Sequence, residues 1–172
     1  GLTLIAAANT SLSADLTTLQ NQLQQLDTSS DTAAIKQAMV ARLTALADRQ
    51  GKVAANATSL ADTLTRLQAS LNKLTGKDDQ PLASAITRLR DVATTATAVQ
   101  TAASDLAKDV PNLSTNELQS RLATLNDVAQ KFASDANTLK DLDLSTSVKQ
   151  VLNAFKAALA DAATTLTKIN DQ

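Results

Sequence analysis

The 172-residue sequence has no cysteine, histidine, tyrosine or tryptophan. Without cysteine there are no disulfides and no thiol nucleophile. Without histidine the usual general base near neutral pH is missing, and most transition-metal ligand sets go with it. Three glycines and two prolines leave few places for a sharp turn, which favours a small number of long helices joined by short loops. The only aromatic residues are Phe132 and Phe155, so a core must be built from Leu, Ala, Val and Ile. No run of about 18 apolar residues occurs, which excludes a membrane-spanning helix within the sequence. The 16 basic and 17 acidic residues nearly cancel, giving no electrostatic footprint for nucleic acid or an anionic membrane.

Motifs for chemistry are equally scarce. There is no glycine-rich phosphate loop and no G-x-S-x-G elbow. The densest carboxylates, Asp78 with Asp79 and Asp141 with Asp143, lack the glycine and terminal glutamate of a calcium-binding EF-hand loop. The sequence therefore predicts no enzyme, no cofactor, no metal site and no catalytic residue. Three N-x-Ser/Thr sequons, at Asn9, Asn56 and Asn112, are close to chance in a chain this rich in Asn, Ser and Thr.

What the chain does contain is one apolar period repeated five times. Over Thr32 to Thr75, Met39, Leu43, Leu46, Val53, Leu60, Leu64, Leu67, Leu71 and Leu74 fall on alternating steps of four and three, a heptad seam in which only Gln50 and Ala57 lack a large apolar side chain. An unbroken helix over that stretch spans about 66 Å. Gln50-Gly51 is the expected bend, since glycine costs about 1 kcal/mol relative to alanine inside a helix. Leu2 to Leu26 carries Leu2, Ile5, Leu12, Leu16, Leu19, Leu23 and Leu26 in one register, interrupted by Asn9. Ser30 or Asp31 is placed to cap the long helix, and Gly76 to end it in a left-handed turn.

Pro81 suits the first position of a third helix reaching about Lys108. Its inner face, Leu82, Ile86, Leu89, Ala93, Ala96, Val99, Ala103 and Leu106, is thin, and Thr87, Thr94 and Thr101 with Asp91 and Asp105 form a solvated stripe. Val110-Pro111 closes that helix. Ser114 to Glu117 is a capping box, with Leu113 and Leu118 as its hydrophobic staple. The fourth helix has Leu118, Leu122, Leu125, Ala129, Phe132, Ala136 and Leu139 in register. A turn at Leu142 to Ser145 leads to a fifth, with Val148, Leu152, Phe155, Leu159, Ala162, Leu166 and Ile169. The expected fold is all-α: one domain over residues 1–172, an up-and-down antiparallel bundle of five helices with heptad-type packing. In that fold Asp at Leu64 or at Leu152 unfolds the bundle.

Function is less legible. Sixteen of the seventeen acidic residues are Asp, although Glu is the better helix former, and the sequence opens on Gly1 without an initiator Met. Both features suggest a fragment of a larger extracytoplasmic, bacterial cell-surface or periplasmic protein. The Thr-, Asp- and Gln-laden helical style is similar to that of helical ectodomains of Gram-positive surface proteins, with no motif that names a family. The first expectation is a non-catalytic structural or protein-interaction module, a stalk or cap associating with itself or another protein. A second is a ligand-sensing ectodomain with a small polar ligand near Arg42, Arg49, Arg88 or Arg90. A third is a lipid-binding bundle using the alanine-lined third helix.

Overall fold

The computed structural model describes residues 2–142 and 144–171, and within them the chain is helical throughout apart from its connections. Five α-helices follow in order: α1 (Leu2–Leu26), α2 (Thr32–Thr75), α3 (Gln80–Asp109), α4 (Thr115–Asn137) and α5 (Ser145–Asn170). A single 3-10 turn, Val110–Asn112, joins α3 to α4.

The helix ends sit where side-chain chemistry puts them. Asp31 caps α2, its carboxylate accepting from the Ala34 N–H at 3.1 Å. Gly76 closes α2 with φ +73°, the left-handed conformation that a residue without Cβ adopts freely, and its N–H donates to Asn72 O at 2.7 Å. Asp79 caps α3 just before Pro81, and Ser114 caps α4 by accepting from the Glu117 N–H at 3.2 Å. Leu118 of the staple is buried and Leu113 half-buried.

The long helix runs unbroken through Gln50 and Gly51. Gly51 leaves room for a side chain of α3: a Cβ there would lie 2.6 Å from Gln100 Nε2. α2 is the central element. It packs along α3 over the longest shared surface and also meets α1 and α5, while α4 packs on α3 and α1.

Burial on α2 is wider than a two-per-heptad seam. Leu46 with Ala47 and Val53 with Ala54 are both buried, and Gln50, Ala57 and Ala61 join them, because neighbours lie on two sides of the helix. On α3, Ala85 and Val92 take the interior positions that the sequence assigned to Ile86 and Ala93, which are half-buried. On α1, Ala8 and Asp15 fill the stripe, Leu16 and Asn9 are half-buried, and Leu2 is exposed. The stripe of Thr87, Thr94, Thr101, Asp91 and Asp105 faces solvent as expected.

Two apolar clusters result. The main core is built by α1 to α4 and includes Phe132, fully buried. A smaller cluster comprises Leu71 of α2, Leu82 of α3 and Val151 of α5, flanked by Leu64, Leu67 and Ala154. The expected burial of the α5 seam is overturned. Val148, Leu152, Phe155, Leu159, Leu166 and Ile169 are all exposed, and the only buried residues of α5 are Ser147 and Val151. The physical reason is that α1 to α4 already cover one another, so α5 finds only the far end of α2 and the start of α3 to pack on.

Candidate interaction surface

α5 is held by its first two turns. The residue before it, Leu144, offers no side-chain oxygen as a cap, and tertiary bonds fix this end instead. The buried Asp79 carboxylate accepts from the Leu82 N–H at 3.0 Å and from the Ser147 hydroxyl. The Gln68 side chain of α2 closes the knot. Its Nε2 donates to Asp79 O at 2.9 Å and its Oε1 accepts from the Asp79 N–H at 3.1 Å. A buried carboxylate is costly unless its lone pairs are taken up, and here a helix cap and a hydroxyl share them. Asp79, which the sequence placed among the densest carboxylates, thus serves to join α2, α3 and α5. Among the described residues no cluster of three or more acidic side chains could hold a metal, and Asp143 lies outside them.

Beyond the knot, α5 leaves the protein behind. Every described residue from Leu159 onward is exposed. Val148, Leu152, Phe155, Leu159, Ala162, Leu166 and Ile169 keep strict steps of four and three over three turns of the heptad, so they form one narrow stripe along the helix. The six large side chains among them are between 49% and 67% exposed. A single exposed Leu is ordinary, whereas a continuous stripe of them is the kind of patch that marks a contact surface. Phe155, one of the two aromatic residues in the sequence, lies in the middle of it.

The four arginines that the sequence offered for a small polar ligand are each engaged by the protein. Arg42 Nη1 donates to Asp15 Oδ1 at 2.9 Å, and Arg49 pairs with the other oxygen of the same carboxylate. Arg88 Nη1 donates to Thr138 O at 2.8 Å, tying α3 to the end of α4. Arg90 reaches Asp62 at 3.4 Å and Thr65 at 3.2 Å on α2. The cluster around Asp15 is the most polar part of the α1–α2 contact. Asp15 is buried, and the shielded Gln22 Oε1 and Arg42 Nε beside it have no hydrogen-bond partner. Sequence reasoning missed Asp15, although it stands three residues after Leu12 and four before Leu19, on the buried stripe itself. Two arginines seven apart on α2, one turn of the heptad repeat, were the available sign that a carboxylate would face them.

No protein-family model, curated protein or solved structure gives a significant match to this chain. No described helix is long and apolar enough to cross a membrane.

Proposed function

We propose that this chain is a non-catalytic protein-interaction module of an extracytoplasmic cell-envelope protein, whose contact element is α5. The observation that carries the reading is the uncovered apolar stripe from Val148 to Ile169, anchored at one end by the Asp79 knot. In the finer architecture that we propose, α1 to α4 form an up-and-down bundle with heptad-like packing, and α5 extends from it as an arm. The preference for Asp over Glu and the Thr-rich exposed faces support an extracytoplasmic setting. The ligand-sensing reading gains no support from arginines that already have protein acceptors. The lipid-carrier reading gains none from an α3 whose inward alanines Ala85, Ala96 and Ala103 are fully buried.

The experiment is site-specific photocrosslinking in cells that make the protein. A photoreactive residue replacing Leu159 is expected to give an adduct of defined mass, and the same residue replacing Thr94 on the exposed stripe of α3 is expected to give none. Equal labelling at both positions, or none at Leu159, contradicts the reading.

A further inference from the structure

The stripe on α5 is narrow. Helices that pack on a globular core bury about three to four residues in every two turns, as α2 does, whereas a stripe of two per heptad fits a single partner helix. The five large side chains that a partner helix can oppose, Leu152, Phe155, Leu159, Leu166 and Ile169, add up to about three fully exposed residues. At roughly 150 Å² each, that is about 450 Å² per chain. A pair of copies would therefore bury about 900 Å² from these residues, and Ala158, Ala162 and the lysine stems bring the total to about 1,000 Å², the size at which a specific interface begins.

Resting on the interaction reading above, we infer that the occupant of this face is a second copy of the chain, bound through an antiparallel α5–α5 pair. Antiparallel pairing gives layers of mixed size. Leu159 packs on Ala162 of the partner subunit, Phe155 on Leu166 of the partner subunit, and Leu152 on Ile169 of the partner subunit, so no layer holds two alanines or two phenylalanines. Parallel pairing in register sets each residue against itself, leaving a thin layer at Ala162 and an overfilled one at Phe155. Charge does not oppose the pair. Lys149, Lys156 and Lys168 against Asp161 and Asp171 leave +1 across 145–171. The same small charge disfavours an anionic bilayer as the occupant, since interfacial helices combine their apolar face with a strongly basic polar one. The stretch from Leu159 onward has none of its own chain against it, so a second helix can lie along it.

The test is solution mass by sedimentation over a concentration series, with the distance between copies measured in the same samples. The wild-type chain is expected to pass from 17.9 kDa to twice that mass as concentration rises. Leu159→Asp is expected to weaken the association at least a hundredfold with unchanged helix content, while Thr94→Asp leaves it unaltered. Because the chain has no cysteine, Asn170→Cys provides a single site for a spin label. Antiparallel pairing places the two labels about 30 Å apart, and parallel pairing about 10 Å.

A chain that stays monomeric at all concentrations overturns the inference, as does a dimer that Leu159→Asp leaves intact or a label distance near 10 Å. A monomer that co-sediments with phosphatidylglycerol vesicles overturns it in favour of a membrane surface. A monomer that still gives the photo-adduct at Leu159 in cells refutes the second copy and leaves the interaction reading standing. Loss of the adduct as well refutes both.

Discussion

The two phenylalanines measure the difference between the two parts of this molecule. Phe132 of α4 and Phe155 of α5 stand on the same heptad spacing, and Phe155 has the larger apolar flanks, Leu152 and Leu159 where Phe132 has Ala129 and Ala136, yet Phe132 is fully buried and Phe155 is 49% exposed. Spacing makes an apolar stripe on a helix. What covers the stripe depends on which surfaces are still free when the helices assemble. α1 to α4 satisfy one another, with α2 buried on two sides, and α5 arrives with only the tip formed by Leu71 and Leu82 left to pack on.

Substitutions sharpen that contrast, and the largest effects are expected in the main core. Phe132→Ala should lower stability by about 3 to 5 kcal/mol through lost burial and the cavity left behind. Phe155→Ala, measured at concentrations where the chain is monomeric, should stay within about 0.5 kcal/mol of wild type. Denaturant melts of the two variants side by side check this, and equal losses would mean that α5 packs on the bundle after all. By the same logic Leu152→Asp leaves the bundle folded, which reverses the expectation drawn from the sequence. Leu122→Asp on α4 should abolish folding by placing an unpaired charge in the core.

A smaller loss is expected at the joint between the two regions. Asp79→Ala removes the α3 cap and the acceptor of the Ser147 hydroxyl, and should cost about 1 to 2 kcal/mol. Its signature is local: amide exchange should accelerate across 145–154 more than across α1. Uniform acceleration would show that the knot supports the whole bundle rather than the base of α5. Smaller still, Asp15→Leu should lie within about 1 kcal/mol of wild type. A buried ion pair is often replaced by an apolar residue at little cost, and both arginines are exposed enough to return to water. A loss of several kcal/mol in thermal or denaturant melts would instead give the Asp15 cluster a decisive structural role.

The smallest effect is expected at Gly51. A Cβ there meets the end of the flexible Gln100 side chain, which can swing aside, while the helix gains up to about 1 kcal/mol of intrinsic preference. Gly51→Ala should thus leave the melting midpoint unchanged or raise it by a few degrees.

Much of the fold was readable because it is written locally. Asp31, Gly76, Pro81 and Ser114 mark helix ends through chemistry within a few residues, visible without knowing the neighbours, whereas the cap from Asp79 was read only as part of a dense carboxylate pair. The interior of α1 and α3 was harder. Whether Ile86 or Ala85 faces inward depends on where α2 and α4 lie, and small rotations exchange adjacent residues on a stripe. Gly51 read only as an expected bend because the side chain that fills the space beside it, Gln100, is 49 positions away in the sequence. The candidate surface was legible as a stripe and illegible as a surface, since periodicity records the apolar face and not its cover.

The most direct measurement is residue-resolved hydrogen exchange at a concentration low enough to keep the chain monomeric. The account predicts that amides over 159–170 exchange with little protection, while those over 39–57 of α2 approach the protection set by global unfolding. Protection of the two stretches to the same degree would contradict it, because α5 would then belong to the cooperative core rather than extend from it.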